Sequence, residues 1–240
     1  MRNSNRYIEK IINLIYPRRC PVCDDVVPIE QGFACVECCK KIKYITNPRC
    51  RRCGKQMQDE SAVFCKDCEK RKHEYEYGFA LYDYQSMKES IYRFKYSNRS
   101  EYAEYYARDM VKNLAEEIRR MNADALVPVP LHSKRKAGRG YNQAEMLAKE
   151  LSKLTGIPCY NKLVKRVRNT IPQKELNVQE RQNNLKKAFL IQSDVVKLNK
   201  TIVVDDIYTT GSTVDAVARE LRQHGVGNVY YLTLCIGEGM

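Results

Sequence analysis

The stretch Val203-Val204-Asp205-Asp206-Ile207-Tyr208-Thr209-Thr210-Gly211-Ser212-Thr213 decides how the rest of the chain is read. The apolar run Thr201–Val204 reads as a buried strand and ends on two adjacent carboxylates. A hydroxyl-rich loop then opens a helix whose buried face is Val214, Val217, Ala218 and Leu221. The first turn of a helix has N–H groups without intrahelical partners and lies at the positive end of the dipole, so it suits a phosphate. Gly211 lets the backbone come close to such an anion, while Thr209, Thr210, Ser212 and Thr213 offer hydroxyl donors. Two carboxylates beside a phosphate repel it unless they accept hydrogen bonds from hydroxyls of the same ligand. A sugar phosphate meets both demands. Helix capping by Ser and Thr accounts for the hydroxyls but not for the paired aspartates at the end of the strand.

Upstream and downstream, helix and strand patterns alternate. Ala107, Met110, Val111, Leu114, Ala115 and Ile118 keep the spacing of one helix face. Ala125–Val129 is a short apolar strand between a polar stretch and Pro130. Ala144, Leu147, Ala148, Leu151 and Leu154 form another helix face, stopped by Gly156-Ile157-Pro158. Val229–Ile236 reads as a last strand. Strands separated by helices predict an α/β domain with a parallel sheet covered on both faces.

The first third carries a different signal. Four Cys-x-x-Cys pairs occur there: Cys20/Cys23, Cys35/Cys38, Cys50/Cys53 and Cys65/Cys68. The first two pairs recur 30 positions later, with 11 residues between inner members in each copy. Two such knuckles complete one tetrahedral four-cysteine shell, so the spacing predicts two structural Zn²⁺ ions in tandem with no open coordination position. A disulfide scaffold would need an oxidising compartment, and a redox motif would not be needed four times. Cys39, Cys159 and Cys235 lie outside the repeat and read as ordinary buried residues. The division expected is 1–74, an initial helix with the zinc module, and 75–240, the sheet domain.

Among 240 residues, 42 are Lys or Arg and 29 Asp or Glu, a formal +13 that eight zinc-held thiolates would lower to about +9. That balance suits phosphorylated or nucleic-acid partners. No apolar run reaches the roughly 20 residues of a bilayer-crossing helix. Glu9 and Lys10 interrupt the apolar Tyr7–Ile15, so no secretory signal is read and a cytoplasmic location is expected. Nine tyrosines between Tyr75 and Tyr106 resemble a stacking platform for single-stranded nucleic acid. Their local charge is slightly negative, however, so most are expected to pack the core and the seam with the zinc module.

Further motifs flank the opening stretch: Val127-Pro128-Val129-Pro130-Leu131-His132, Arg139-Gly140-Tyr141-Asn142-Gln143, Arg168-x-Thr170-x-x-Gln173, Glu180-Arg181-x-x-Asn184 and Ala188-Phe189. With the cysteine knuckles and the Asp-Asp-Ile-Tyr-Thr-Thr-Gly-Ser-Thr run, they make nearly the whole chain resemble the ComF/ComFC family of competence-associated proteins. That family joins a double zinc ribbon to a type I phosphoribosyltransferase fold. The resemblance implies a ligand, phosphoribosyl pyrophosphate (PRPP) carried with Mg²⁺. Asp205 and Asp206 would hold its ribose hydroxyls, and Thr209, Thr210, Gly211, Ser212 and Thr213 its 5′-phosphate. The basic loop with Lys134, Arg135, Lys136 and Arg139 would meet the pyrophosphate, and Arg168, Thr170 and Gln173 would belong to a lid within the basic segment 162–187. His132 reads as structural. No general base and no acceptor-recognition segment is identifiable. Three readings therefore stand: a PRPP-binding protein of DNA uptake that also binds single-stranded DNA, an active phosphoribosyltransferase with an unidentified nitrogen acceptor, and a zinc-ribbon adaptor. The adaptor's partner would be a DNA-uptake helicase or another transformation protein.

Overall fold

The computed structural model describes residues 17–167, 188–192 and 198–237. A four-stranded, all-parallel sheet forms its centre from β1 (Gly78–Asp83), β2 (Ala125–Pro128), β5 (Lys200–Tyr208) and β6 (Asn228–Ile236) in the order β1-β6-β5-β2. A separate antiparallel pair joins β3 (Val164–Arg166) to β4 (Phe189–Ile191). The helices are α1 (Val36–Lys41), α2 (Lys66–Lys70), α3 (Tyr84–Tyr96), α4 (Tyr102–Met121), α5 (Ser133–Arg139), α6 (Gln143–Thr155) and α7 (Ser212–Gln223). β5 is continuously buried from Thr201 to Val204 and β6 from Val229 to Ile236, because both faces are covered, the usual condition of a parallel sheet.

The alternation read from the sequence is present. The Ala107–Ile118 face belongs to α4 and packs inward, and Gly156 ends α6 in the left-handed region as a helix C-cap. Among the elements without a sequence signal of their own are β1 and α3, which lie inside the tyrosine-rich stretch. Tyr75, Tyr82, Tyr102 and Tyr106 are almost fully buried, as expected for core and seam, while Tyr92 and Tyr96 are exposed on α3. Of the three remaining cysteines, only Cys235 is buried. Cys39 is exposed, since it follows the inward-facing Cys38 on a single-turn helix, and Cys159 is half-buried where 158–160 runs beside Leu126.

The zinc module packs directly on the sheet domain. The first ribbon meets α3 and α4: Asp24 bonds to Arg99 at 2.8 Å and accepts from the Tyr102 hydroxyl, and Ser90 and Arg93 donate to the carbonyls of Pro21 and Val22. The second meets β1 and β6: the Tyr231 hydroxyl donates to the Cys53 carbonyl at 2.6 Å. A Cβ on Gly54 would lie 2.5 Å from the Gly78 carbonyl oxygen, and one on Gly78 would enter the Tyr231 ring. No described helix is long and apolar enough to cross a membrane.

Candidate ligand cleft and the two four-cysteine centres

Asp205 and Asp206 lie within β5, which continues to Tyr208 and is thus four residues longer at its carboxyl end than the expected strand. The pair sits at the carboxyl edge of the sheet, where crevices of parallel α/β folds bind ligands. Here a cleft of about 320 Å³ opens. Its floor is Asp205, Asp206, Ile207, Thr209 and Thr213, and its walls include Arg135, Arg139, Lys95 and Arg166. The basic residues after Pro130 lie on a short helix, α5, and not on a loop. His132 caps that helix, its Nδ1 accepting from the Lys134 N–H at 3.3 Å. The Arg139-to-Gln143 motif anchors the wall. Arg139 donates to Gln143 Oε1 at 3.1 Å, Gln143 donates to the Phe94 carbonyl at 3.2 Å, and Asn142 donates to the Val129 carbonyl at 3.0 Å.

Charge is concentrated in this cleft. Asp205 accepts from the Asp206 N–H at 2.8 Å, and Lys95 Nζ lies 2.9 Å from Asp206 Oδ1. Burial, reinforced by the neighbouring Asp206, pushes the Asp205 carboxyl up to about 7, against the opposing pull of the Asp206 N–H, Lys95 and Arg166. Arg166, on β3, stacks over Phe189 at 5.4 Å. Burial and the nearby Arg135 push its guanidinium down to about 10. Two acids and several cations thus share one partly buried cleft.

Not every expected residue faces the cleft. Thr209 and Thr213 line it together with Arg135 and Arg139. Thr210 lies in a small adjoining cavity with Lys55, Arg71 and His73 of the zinc module. Ser212 is buried, its hydroxyl 2.9 Å from that of Thr210. Lys134 is exposed and outside the lining, because α5 turns it to solvent. Gly211 has φ +78°, and a Cβ there would stand 2.6 Å from the Tyr208 hydroxyl and 3.1 Å from His73 Cε1. Its requirement is therefore set by the left-handed backbone and the protein's own side chains as well as by any anion. Arg168, Thr170 and Gln173 lie outside the described residues. Lys95 and Arg166 were missed as site residues, since neither belongs to a motif contiguous with the aspartates.

The cysteines meet as the spacing required. Cys20, Cys23, Cys35 and Cys38 form one group and Cys50, Cys53, Cys65 and Cys68 another, with sulfurs within 4.8 Å of one another in each. A tetrahedron with Zn–S arms of about 2.3 Å has sulfur–sulfur edges of roughly 3.8 Å. Cys23 and Cys35 are 3.8 Å apart and Cys53 and Cys65 3.6 Å apart, so both sets fit zinc.

Fold and site together define a parallel α/β domain with an acidic, cation-walled cleft, braced by two four-cysteine ribbons. A family model described as a double zinc ribbon domain matches residues 11–69. "Competence protein F" of Haemophilus influenzae is 32% identical over 88% of this chain and 93% of its own length. "Competence protein ComFC" of Bacillus subtilis is 31% identical over 80% and 78%. "DNA utilization protein YhgH" of Salmonella typhimurium is 29% identical over 92% and 98%. The chain belongs to the ComF/ComFC family. A purine phosphoribosyltransferase from Pyrococcus horikoshii overlaps 55% of the chain at 21% identity with a TM-score of 0.36, too slight a likeness to bear on the chemistry.

Proposed function

We propose that the cleft binds PRPP with Mg²⁺ and that the chain acts in handling DNA during its uptake. One observation carries the reading of the ligand: the paired aspartates, the opening of α7 and the cations Arg135 and Arg139 converge on a single cleft, although they lie about 70 residues apart in sequence. Ribose hydroxyls would donate to Asp205 and Asp206, the 5′-phosphate would sit at Thr209–Thr213, and the pyrophosphate would face Arg135 and Arg139. Lys134, turned to solvent, is left out of that last role. Mg²⁺ would travel on the phosphate oxygens, as its preference for phosphate and water implies. Zinc in the two four-cysteine shells would hold structure only. The ribbon unit is assigned to 1–74 and the ligand-binding unit to 75–240.

The role in DNA handling is supported by relatives named for competence and DNA utilization. We place single-stranded DNA against Arg135 and Arg139 at the mouth of the cleft. Turnover as a phosphoribosyltransferase is the second reading, favoured by the convergence of Asp205 and Asp206 with Arg135 and Arg139 in one cleft, which would hold the ribose of PRPP against its leaving pyrophosphate. Calorimetry of PRPP·Mg²⁺ with the parent and with Asp206→Asn tests the first reading. A single site, weakened at least tenfold in the variant, is expected, and equal heats in both would overturn it. Pyrophosphate release with nucleobases, amines or DNA tests turnover.

A further inference from the structure

The strap that leaves the second ribbon, residues 73–76, runs alongside α7 and is bonded to it repeatedly. His73 Nδ1 lies 2.9 Å from Asp215 Oδ2, and the Glu74 N–H donates to Asp215 Oδ1 at 2.8 Å. Glu74 pairs with Arg219 at 3.1 Å and Glu76 with Arg222 at 2.5 Å. The Tyr75 and Tyr208 hydroxyls are 2.7 Å apart, and His73 stacks on Tyr75 at 4.7 Å. Asp215 lies in the first turn of α7, the turn that would hold the 5′-phosphate, and its own N–H bonds to the Gly211 carbonyl at 2.8 Å. At the other side of the imidazole, Nε2 faces Cys68 Sγ at 3.8 Å. The His73 side chain is only 2% exposed. It also stands 3.1 Å from where a Gly211 Cβ would be, so the ring touches the loop from outside as well.

One buried ring therefore contacts a ligand of the second four-cysteine centre with one nitrogen and the phosphate-loop helix with the other. The contacts given above for the first ribbon go to α3 and α4 instead. We propose that His73 is a positioning residue that ties the second zinc ribbon to the phosphate loop, so that metal held by Cys50, Cys53, Cys65 and Cys68 sets the geometry of 209–215. Groups beyond the metal ligands orient those ligands and are felt in metal affinity by roughly 10–100-fold. A group shared with a second site must pass some of that effect across, and by linkage the effect is reciprocal. The part of the inference that concerns ligand affinity rests on the PRPP reading; the part that concerns loop geometry does not.

Two conservative substitutions separate the arms of the contact. His73→Asn puts an amide nitrogen near the position of Nδ1, toward Asp215. His73→Gln puts one near the position of Nε2, toward Cys68. Hydrogen exchange of the peptide spanning 209–216 is measured on the full chain in zinc-loaded parent, Asn, Gln and Ala variants, with zinc content determined for each. The expected result is faster exchange in Ala and Gln, at two zinc ions per chain, and rescue toward the parent rate in Asn. Equal rates in all four, or rescue by Gln as good as by Asn, overturns the proposal. If Ala does not fold, the Asn–Gln contrast still decides. A second readout replaces zinc by Co²⁺ and adds ribose 5-phosphate as the probe. The cobalt–thiolate bands should move in the parent and stay fixed in both the Asn and Gln variants. A band shift that survives in both variants counts against the tie. Exchange rates that follow the expected order, with no binding of ribose 5-phosphate to the parent by calorimetry, leave the tie standing and count against the PRPP reading, whereas binding without a band shift in the parent overturns the tie.

Discussion

Replacing Asp205 by Asn should stabilise the ligand-free protein, and more so as pH rises. The Asp205 carboxyl titrates near 7 in the fold against 3.8 for an ordinary aspartate, because burial and Asp206 both disfavour its charge. In the unfolded chain the group ionises as pH passes about 4. In the folded chain it holds its proton until about 7. Ionisation therefore favours unfolding, and stability falls across that window and is level above it. At about 1.4 kcal/mol per pH unit, the ceiling on the loss is about 4 kcal/mol. Water reaching a half-open cleft and the shared proton of the pair bring the expected gain of the Asn variant to about 2 kcal/mol at pH 8. For a chain of this size that is roughly 4–8 °C in Tm. At pH 5, only about a third of the window has been crossed, so the gain should shrink to about a third. The assay is thermal unfolding of parent and variant at pH 5, 6, 7 and 8 and constant ionic strength, with zinc added to both. A gain independent of pH, or a loss at pH 8, would mean that Asp205 ionises in the fold as it does in the unfolded chain.

Gly211→Ala should lower stability by roughly 2 kcal/mol or more with both zinc ions retained, since a left-handed backbone and the Tyr208 hydroxyl both oppose a Cβ; denaturant titration beside metal analysis checks it, and an unchanged midpoint would contradict it. Metal analysis of the reduced parent should give two zinc ions per chain, falling to one in Cys20→Ser and in Cys65→Ser, with local unfolding of the affected ribbon seen by limited proteolysis. Asp24→Ala should loosen the first ribbon by about 2 kcal/mol, because Arg99 and the buried Tyr102 hydroxyl both lose their partner; chemical denaturation measures it. PRPP·Mg²⁺ and single-stranded DNA should weaken each other by the same factor if Arg135 and Arg139 serve both, which anisotropy at fixed salt and free Mg²⁺ reads directly; an unchanged DNA dissociation constant at saturating PRPP would exclude the shared site.

The parts of the structure that the sequence disclosed are those where one local pattern has one physical meaning. Two thiols a turn apart, repeated at a fixed period, have few uses besides a four-cysteine shell, and both shells form. The run from Val203 to Thr213 combines strand periodicity, paired acids and a helix start, and each is found in place. What stayed hidden depends on chain pairing. β1 is a six-residue edge strand that shows no clean alternation, because Phe79 is half-buried against Tyr77 while Ala80, Leu81 and Tyr82 are buried in succession. Lys95 reaches Asp206, more distant in sequence than any local motif spans, only after α3 docks beside the sheet. Arg166 reads as one more cation in a basic segment until β3 carries it under Phe189. Gly211 was legible as a residue without a side chain, but the atoms opposing a Cβ come from Tyr208 and from His73, which belongs to the far end of the zinc module.

Phosphorus NMR of PRPP·Mg²⁺ titrated with the protein reads the two ends of the ligand separately. The 5′-phosphate and pyrophosphate signals should both shift and saturate together at one equivalent. In Arg135→Ala/Arg139→Ala the pyrophosphate response should weaken, while the 5′-phosphate response persists at higher protein concentration. Signals that do not move, or that move no more than those of inorganic phosphate and pyrophosphate added separately, would contradict a cleft built for a phosphorylated sugar.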